Sequence, residues 1–144
     1  MIPPKYAIIH HSLTADSGTV SWSAIREYHI KTNGWKDIGY HYGIELVGPY
    51  YEVLIGRPTD VAGAHCMGRN GDSVGICFVG NFDLAPPPDA MMKRAVVVLS
   101  PIINQLKIPS ERIEPHSGYS SKTCPGKMFP MKEFVKALRV GVWK

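Results

Sequence analysis

Short apolar runs and stretches of helical spacing alternate along this chain, divided by breaks rich in glycine and proline. Tyr6 to Ser12 (YAIIHHS) is apolar and β-branched, the pattern of a buried strand. From Ser21 to Asn33, Trp22, Ile25, Tyr28 and His29 recur at helical spacing, and Gly34 stands where a helix commonly ends in a left-handed glycine. Tyr40 to Val47 and Tyr50 to Ile55 are strand-like runs joined by Gly48-Pro49, which predicts a hairpin. Val61 to Asp72 is glycine-rich and polar, a loop; Ser73 to Gly80 (SVGICFVG) is apolar at nearly every position, as a central strand would be. Pro86-Pro87-Pro88 is a stiff connection, with Pro88 suited to the first turn of a helix over Asp89 to Leu106. Pro101 within that helix predicts a kink or an early break.

Arg112 to His116 predicts a short strand and Ser117 to Pro130 a loop. Met131 to Val140 predicts a closing amphipathic helix, with Met131, Phe134, Val135 and Leu138 on its apolar face and Lys132, Lys136 and Arg139 opposite. Strands and helices interleaved around one hairpin imply an α/β protein: a single-domain mixed sheet of about five strands flanked by helices. The 144 residues fit one domain, 1–144, with no internal repeat. A chain of this size buries about 70% of its unfolded surface, so its core needs no disulfide support.

Composition narrows the classes. A hydrophobic share of 44% and a charged share of 19% are those of a globular protein, not a disordered one. The net charge of +4 suits anionic lipid, an acidic wall polymer or nucleic acid, but no run of five or six like charges supports a nucleic-acid footprint. No apolar run approaches the ~20 residues of a membrane helix. The N-terminus lacks the charged, apolar and cleavage regions of a signal peptide, so synthesis in the cytoplasm is expected. From Lys122 to Lys144, six basic residues stand against the single Glu133, so this stretch is expected to face anionic material.

Three cysteines, Cys66, Cys77 and Cys124, cannot all pair within one chain, which points to free thiols or to a thiolate with metal or catalytic work. Cys77, on an apolar strand, reads as a small buried hydrophobe, and Cys66 as an exposed thiol without a role. Zinc accepts imidazole nitrogen and thiolate sulfur, and its catalytic sites use three protein ligands and an open water position. His116 and Cys124 lie in one loop, separated by seven residues, able to turn toward one point. On a strand, His10 and His11 face opposite sides, so only one joins a given site, and periodicity leaves the choice open.

Four strings decide more: IIHHS near the start, DIGYHYGI at 37–44, GAHCMGRNGDSVGICFVGNF at 63–82 and PHSGYSSKTCPG at 115–126. In content and order they resemble the zinc-dependent N-acetylmuramoyl-L-alanine amidases, the family of small phage lysozyme-type amidases and peptidoglycan recognition proteins. The resemblance spans about residues 6–138. It implies that His10, His116 and Cys124 hold one zinc ion, with Tyr40 and Lys122 as catalytic residues. His65 and Asn70 fall in the stretch that resembles the family's substrate-groove loop, and are expected to bind substrate.

The implied reaction is hydrolysis of the amide between N-acetylmuramic acid and L-alanine of peptidoglycan, by a phage or prophage endolysin that acts on the wall after release and is expected to be a monomer. Relatives that lose the cysteine bind peptidoglycan without cutting it, so a non-hydrolytic binding module is the alternative; Cys124 is present here. A thiol hydrolase with Cys124 as nucleophile and His116 as base is a third class. The residue that takes the water's proton stays unassigned, with Tyr40, Glu45 and Glu52 as candidates. Deaminase-type zinc chemistry is disfavoured, since its H-x-E and PCxxC pairings are absent.

Overall fold

The structure is a computed structural model that describes residues 3–14 and 21–144. Its centre is a five-stranded sheet in the order β3-β2-β4-β1-β5. The strands are β1 (Tyr6–His11), β2 (Tyr42–Val47), β3 (Tyr50–Ile55), β4 (Ser73–Phe78) and β5 (Ile113–Pro115). β1 runs parallel to both β4 and β5, and β2 parallel to β4; the β2–β3 hairpin supplies the antiparallel edge. The hairpin turns at Gly48, whose φ of +60° is left-handed and closes the Val47–Tyr50 pair. The mixed sheet expected from the sequence is therefore present, with every predicted strand in its place.

Two long helices cover one face. α2 (Asp89–Gln105) and α3 (Met131–Val140) enclose a core with Ala7, Ile9, Val74, Ile76 and Phe78 from the strands. The rings of Phe78, Phe129 and Phe134 meet edge-to-face at centroid distances of 4.9, 5.4 and 5.7 Å. Burying one such ring stabilises the fold by about 2–3 kcal/mol. α3 packs through Phe134, Ala137 and Leu138, with Met131 and Val135 at the margin, and leaves Lys132, Lys136 and Arg139 exposed, as its spacing requires.

α2 passes through Pro101 without the break the sequence suggested. The proline lies on the exposed side of the helix, and the carbonyl left without its bond belongs to Val97, itself 59% exposed. Water can serve that carbonyl, so the helix loses one bond and continues.

The opposite face carries the shorter α1 (Trp22–Glu27), capped by Ser21, whose hydroxyl accepts from the Ala24 N–H at 3.2 Å. The predicted helix extends to Thr32, but its second half is a π-helical turn over Tyr28–Thr32. Trp22 packs flat over Gly43, where any Cβ would collide with the indole. Among the described residues, no helix is long and apolar enough to cross a membrane.

Candidate metal centre

His10 sits near the carboxyl end of β1, with Cys77 of β4 beside it in register. His116 follows β5 at once, opening the turn His116–Gly118. The carboxyl ends of adjacent parallel strands thus bring together two histidines distant in sequence, at the rim where open α/β sheets commonly bind ligands. The loop beyond His116 returns to the same point because the Ser117 N–H donates to the carbonyl of Cys124 at 2.7 Å.

A potential donor atom from each of His10, His116 and Cys124 lies within 4.8 Å of the others. His10 Nδ1 is 3.8 Å from Cys124 Sγ, and the rings of His10 and His116 are 4.5 Å apart. Tetrahedral zinc bonded to one nitrogen and one sulfur holds them about 3.6 Å apart. The donor set and spacing therefore suit zinc without rearrangement of the strands. His10 and Cys124 are buried, and His116 half-buried toward an open cleft of about 580 Å³.

The electrostatics of the cluster favour neutral imidazoles. Burial, then the neighbouring His65, His116 and His11, holds His10 well below the ordinary histidine range. Burial and, less strongly, Lys122 lower His116. The Cys124 thiol is pushed up to about 11, chiefly by burial, while the His11 backbone N–H and Lys122 pull the other way. At neutral pH and without a cation, Cys124 is therefore a thiol, poorly prepared to act as a nucleophile.

The loop around Cys124 is fastened by Asp83, a residue that no motif in the chain singles out. Its Oδ2 accepts from Thr123 Oγ1 and its Oδ1 from the Lys127 N–H, both at 2.8 Å. These bonds, with Lys127 N–H foremost, keep the Asp83 carboxyl below its usual range. His11 points to the other side of β1, as strand alternation required: its Nδ1 accepts from the Phe82 N–H at 3.1 Å.

Tyr40 precedes β2 and lies over the cluster, its ring 5.1 Å from that of His10. Burial first, then Cys77 and Cys124, holds its phenol well above the ordinary tyrosine value, so it stays protonated and can donate. Lys122 is exposed on the cleft wall, and the same cleft is lined by Tyr40, His65 and the three potential ligands. Glu45 instead accepts from the Trp22 N–H at 3.0 Å, and Glu52 pairs with Arg94 at 3.4 Å; neither lines the cleft.

His65 also lines the cleft, but its ring is tied inward: Nδ1 is 2.9 Å from His10 Nε2, and Nε2 is 3.3 Å from Ser73 Oγ. Burial, then His41 and His116, pushes it down to about 3. Asn70 lies outside the cleft lining and holds the loop, its Oδ1 accepting from the N–H groups of His65 and Cys66 at 2.7 and 2.9 Å. That turn folds Cys66 inward to 2% exposure, so it is a buried thiol and not the exposed one expected from its polar surroundings. Cys77 is fully buried, as expected. His41 is structural: its Nε2 donates to the Val61 carbonyl and its Nδ1 accepts from the Gly75 N–H.

A family model described as N-acetylmuramoyl-L-alanine amidase matches residues 1–127. The endolysin of Enterobacteria phage K11 is 34% identical over 131 residues, 89% of this chain and 83% of the phage protein. Peptidoglycan-recognition protein SC2 of Drosophila melanogaster is 35% identical over 128 residues, 85% of this chain and 68% of that protein. Among solved structures, the N-acetylmuramoyl-L-alanine amidase LysC from Clostridium intestinale URNW superposes with a TM-score of 0.82 at 28% identity, covering 94% of this chain and 85% of its own.

Proposed function

This chain belongs to the N-acetylmuramoyl-L-alanine amidase family, and we propose that it is a zinc-dependent amidase that cleaves the amide between N-acetylmuramic acid and L-alanine of peptidoglycan. The observation that carries this reading is the cluster of His10, His116 and Cys124, whose donor atoms lie within 4.8 Å of one another at the floor of an open cleft. In this reading residues 1–144 act as one catalytic domain and as a monomer. The endolysin relative supports a role in lysis, with the protein made in a host cytoplasm and reaching the wall on release.

His10, His116 and Cys124 would hold the zinc. When bound, it would polarise the scissile carbonyl and lower the pKa of water toward ~7. The chain's own contributions follow from their protonation. Tyr40 keeps its phenolic proton, since burial only raises its pKa further, so it serves as a hydrogen-bond donor to negative charge developing on the carbonyl oxygen. Lys122 adds a cation at the exposed wall of the same cleft, close enough to bias both His116 and Cys124. Two donors of this kind contribute about 3–4 kcal/mol each to the transition state in comparable enzymes.

The test is release of free L-alanine amino groups from purified peptidoglycan. Loss of release in a strong chelator and recovery on adding zinc are expected. Activity insensitive to chelator would replace this mechanism with thiol chemistry at Cys124. Binding of muropeptides without amine release would reduce the protein to a recognition module, the role suggested by the name of its Drosophila relative.

A further inference from the structure

His10 can carry its single proton on either ring nitrogen, and only one choice leaves a lone pair facing Cys124. The choice is made three residues away. Ser73 Oγ lies 2.6 Å from the carbonyl oxygen of Arg69. A carbonyl cannot donate, so this short contact consumes the one hydrogen of the serine hydroxyl. Ser73 Oγ therefore meets His65 Nε2, at 3.3 Å, as an acceptor, and the His65 proton sits on Nε2. His65 Nδ1 is then bare, and its neighbour at 2.9 Å, His10 Nε2, must be the donor. The remaining nitrogen, His10 Nδ1, is left with a free lone pair 3.8 Å from Cys124 Sγ.

We propose that His65 and Ser73 are positioning residues that fix His10 in the tautomer able to bind a cation, through a one-way chain from His10 Nε2–H to His65, from His65 to Ser73, and from Ser73 to the Arg69 carbonyl. This rests on the reading of His10, His116 and Cys124 as a zinc site. The reverse chain would break the 2.6 Å bond and put a proton on His10 Nδ1, against Cys124. Imidazoles that bind metals owe their orientation and basicity to such partners.

The chain has little freedom to rearrange. A Cβ on Gly75 would lie 2.6 Å from His65 Cγ, and one on Gly63 2.6 Å from its Cδ2, so both glycines are needed for the ring to lie where it does. Asn70 pins the His65 N–H at 2.7 Å. The edge of His41 closes one side, its ring centroid 5.8 Å away. An imidazole held this firmly against a potential ligand, with both nitrogens engaged, is built to orient that ligand.

Two measurements test the proposal. Long-range proton–nitrogen spectra of the metal-free protein are expected to show His10 protonated at Nε2 and bare at Nδ1; the opposite tautomer would overturn it. Zinc affinity, read by competition with a chelating dye, separates two near-isosteric variants. His65→Asn places an amide oxygen where Nδ1 was, whereas His65→Gln places its amide near Nε2 and offers His10 nothing. H65Q is expected to bind zinc about 10–100-fold more weakly than the unsubstituted protein, and H65N to stay within about threefold of it. Equal affinities for H65Q and the unsubstituted protein, or an equal fall in both variants, would also overturn it. If the unsubstituted protein takes up no zinc, the metal-site reading fails by itself, and the spectra still decide the direction of the chain.

Discussion

The backbone N–H of His11 donates to the sulfur of Cys124 at 3.3 Å across 113 residues of sequence. This bond joins the end of β1 to the loop that carries the third potential ligand. It also favours a thiolate over a thiol, offsetting part of the cost of burial. The adjacent side chains of one strand thus divide the work: His10 faces the sulfur with its ring, and His11 with its amide.

Cys124→Ser keeps the loop's shape and removes the soft ligand. We expect it to abolish amine release and to lower zinc affinity by more than tenfold, while the metal-free protein unfolds near its original temperature. A fully active C124S protein would remove the basis of the metal-site reading.

Tyr40→Phe removes one hydroxyl and little volume. Zinc affinity should be retained and kcat should fall about 10²–10³-fold, the usual cost of one lost oxyanion donor. If kcat holds and KM alone rises, Tyr40 binds ground state and transition state alike, and its assigned role is wrong.

Gly43→Ala probes the packing beneath the site. The new methyl would meet the six-membered ring of Trp22, which also leans on the Tyr40 ring at 6.2 Å. Forcing the indole aside should cost about 1–3 kcal/mol of stability, visible in a urea titration, with a secondary loss of activity through Tyr40. An unshifted midpoint would mean that Trp22 can move freely.

Acid should destabilise the metal-free protein. His10, His11, His29, His41, His65 and His116 all lie below the ordinary histidine value, in each case chiefly through burial. In the unfolded chain they return to about 6.5. Below that pH the unfolded state binds more protons, so the stability present above it is lost as pH falls toward the folded values, down to about 3 for His65. Each buried neutral histidine contributes about 1.4 kcal/mol per pH unit inside its window. The urea midpoint should be level between pH 7 and 8 and drop steadily from 6.5 to 4.5. A flat profile over that range would contradict the burial argument.

The basic face of α3 offers a separate test of the expected attraction to anionic material. Lys132 and Lys136 are exposed, but Arg139 donates to the Ile108 carbonyl at 2.6 Å and holds the chain before β5. Replacing only the two lysines by glutamine should weaken lysis at low salt and flatten its salt dependence. If neither changes, the face serves solvation alone.

Local pattern was enough for most of the fold. Tyr6–His11 and Ser73–Phe78 are dense with apolar and β-branched residues, and burial on both faces leaves such segments few other conformations. The amphipathic period of Met131–Val140 marked the side of α3 that would be covered. Pro101 misled, because the cost of a helical proline depends on whether the freed carbonyl meets water, and that is a property of the helix's orientation.

For the site, the sequence by itself determined the residue types and their order: two histidines and a cysteine suited to zinc, and a strand on which His10 and His11 must face opposite ways. Motif resemblance then selected His10. Only the tertiary structure decided how they meet, since parallel pairing of β1 with β5 sets His10 beside His116, and the Ser117–Cys124 bond turns the loop back. The structure alone also set His65 against His10, Asp83 against Thr123 and Asn70 against its own loop. The first two contacts join residues on different strands and loops and the third closes an irregular turn, and hydrogen bonds of these kinds leave no period in the chain to read.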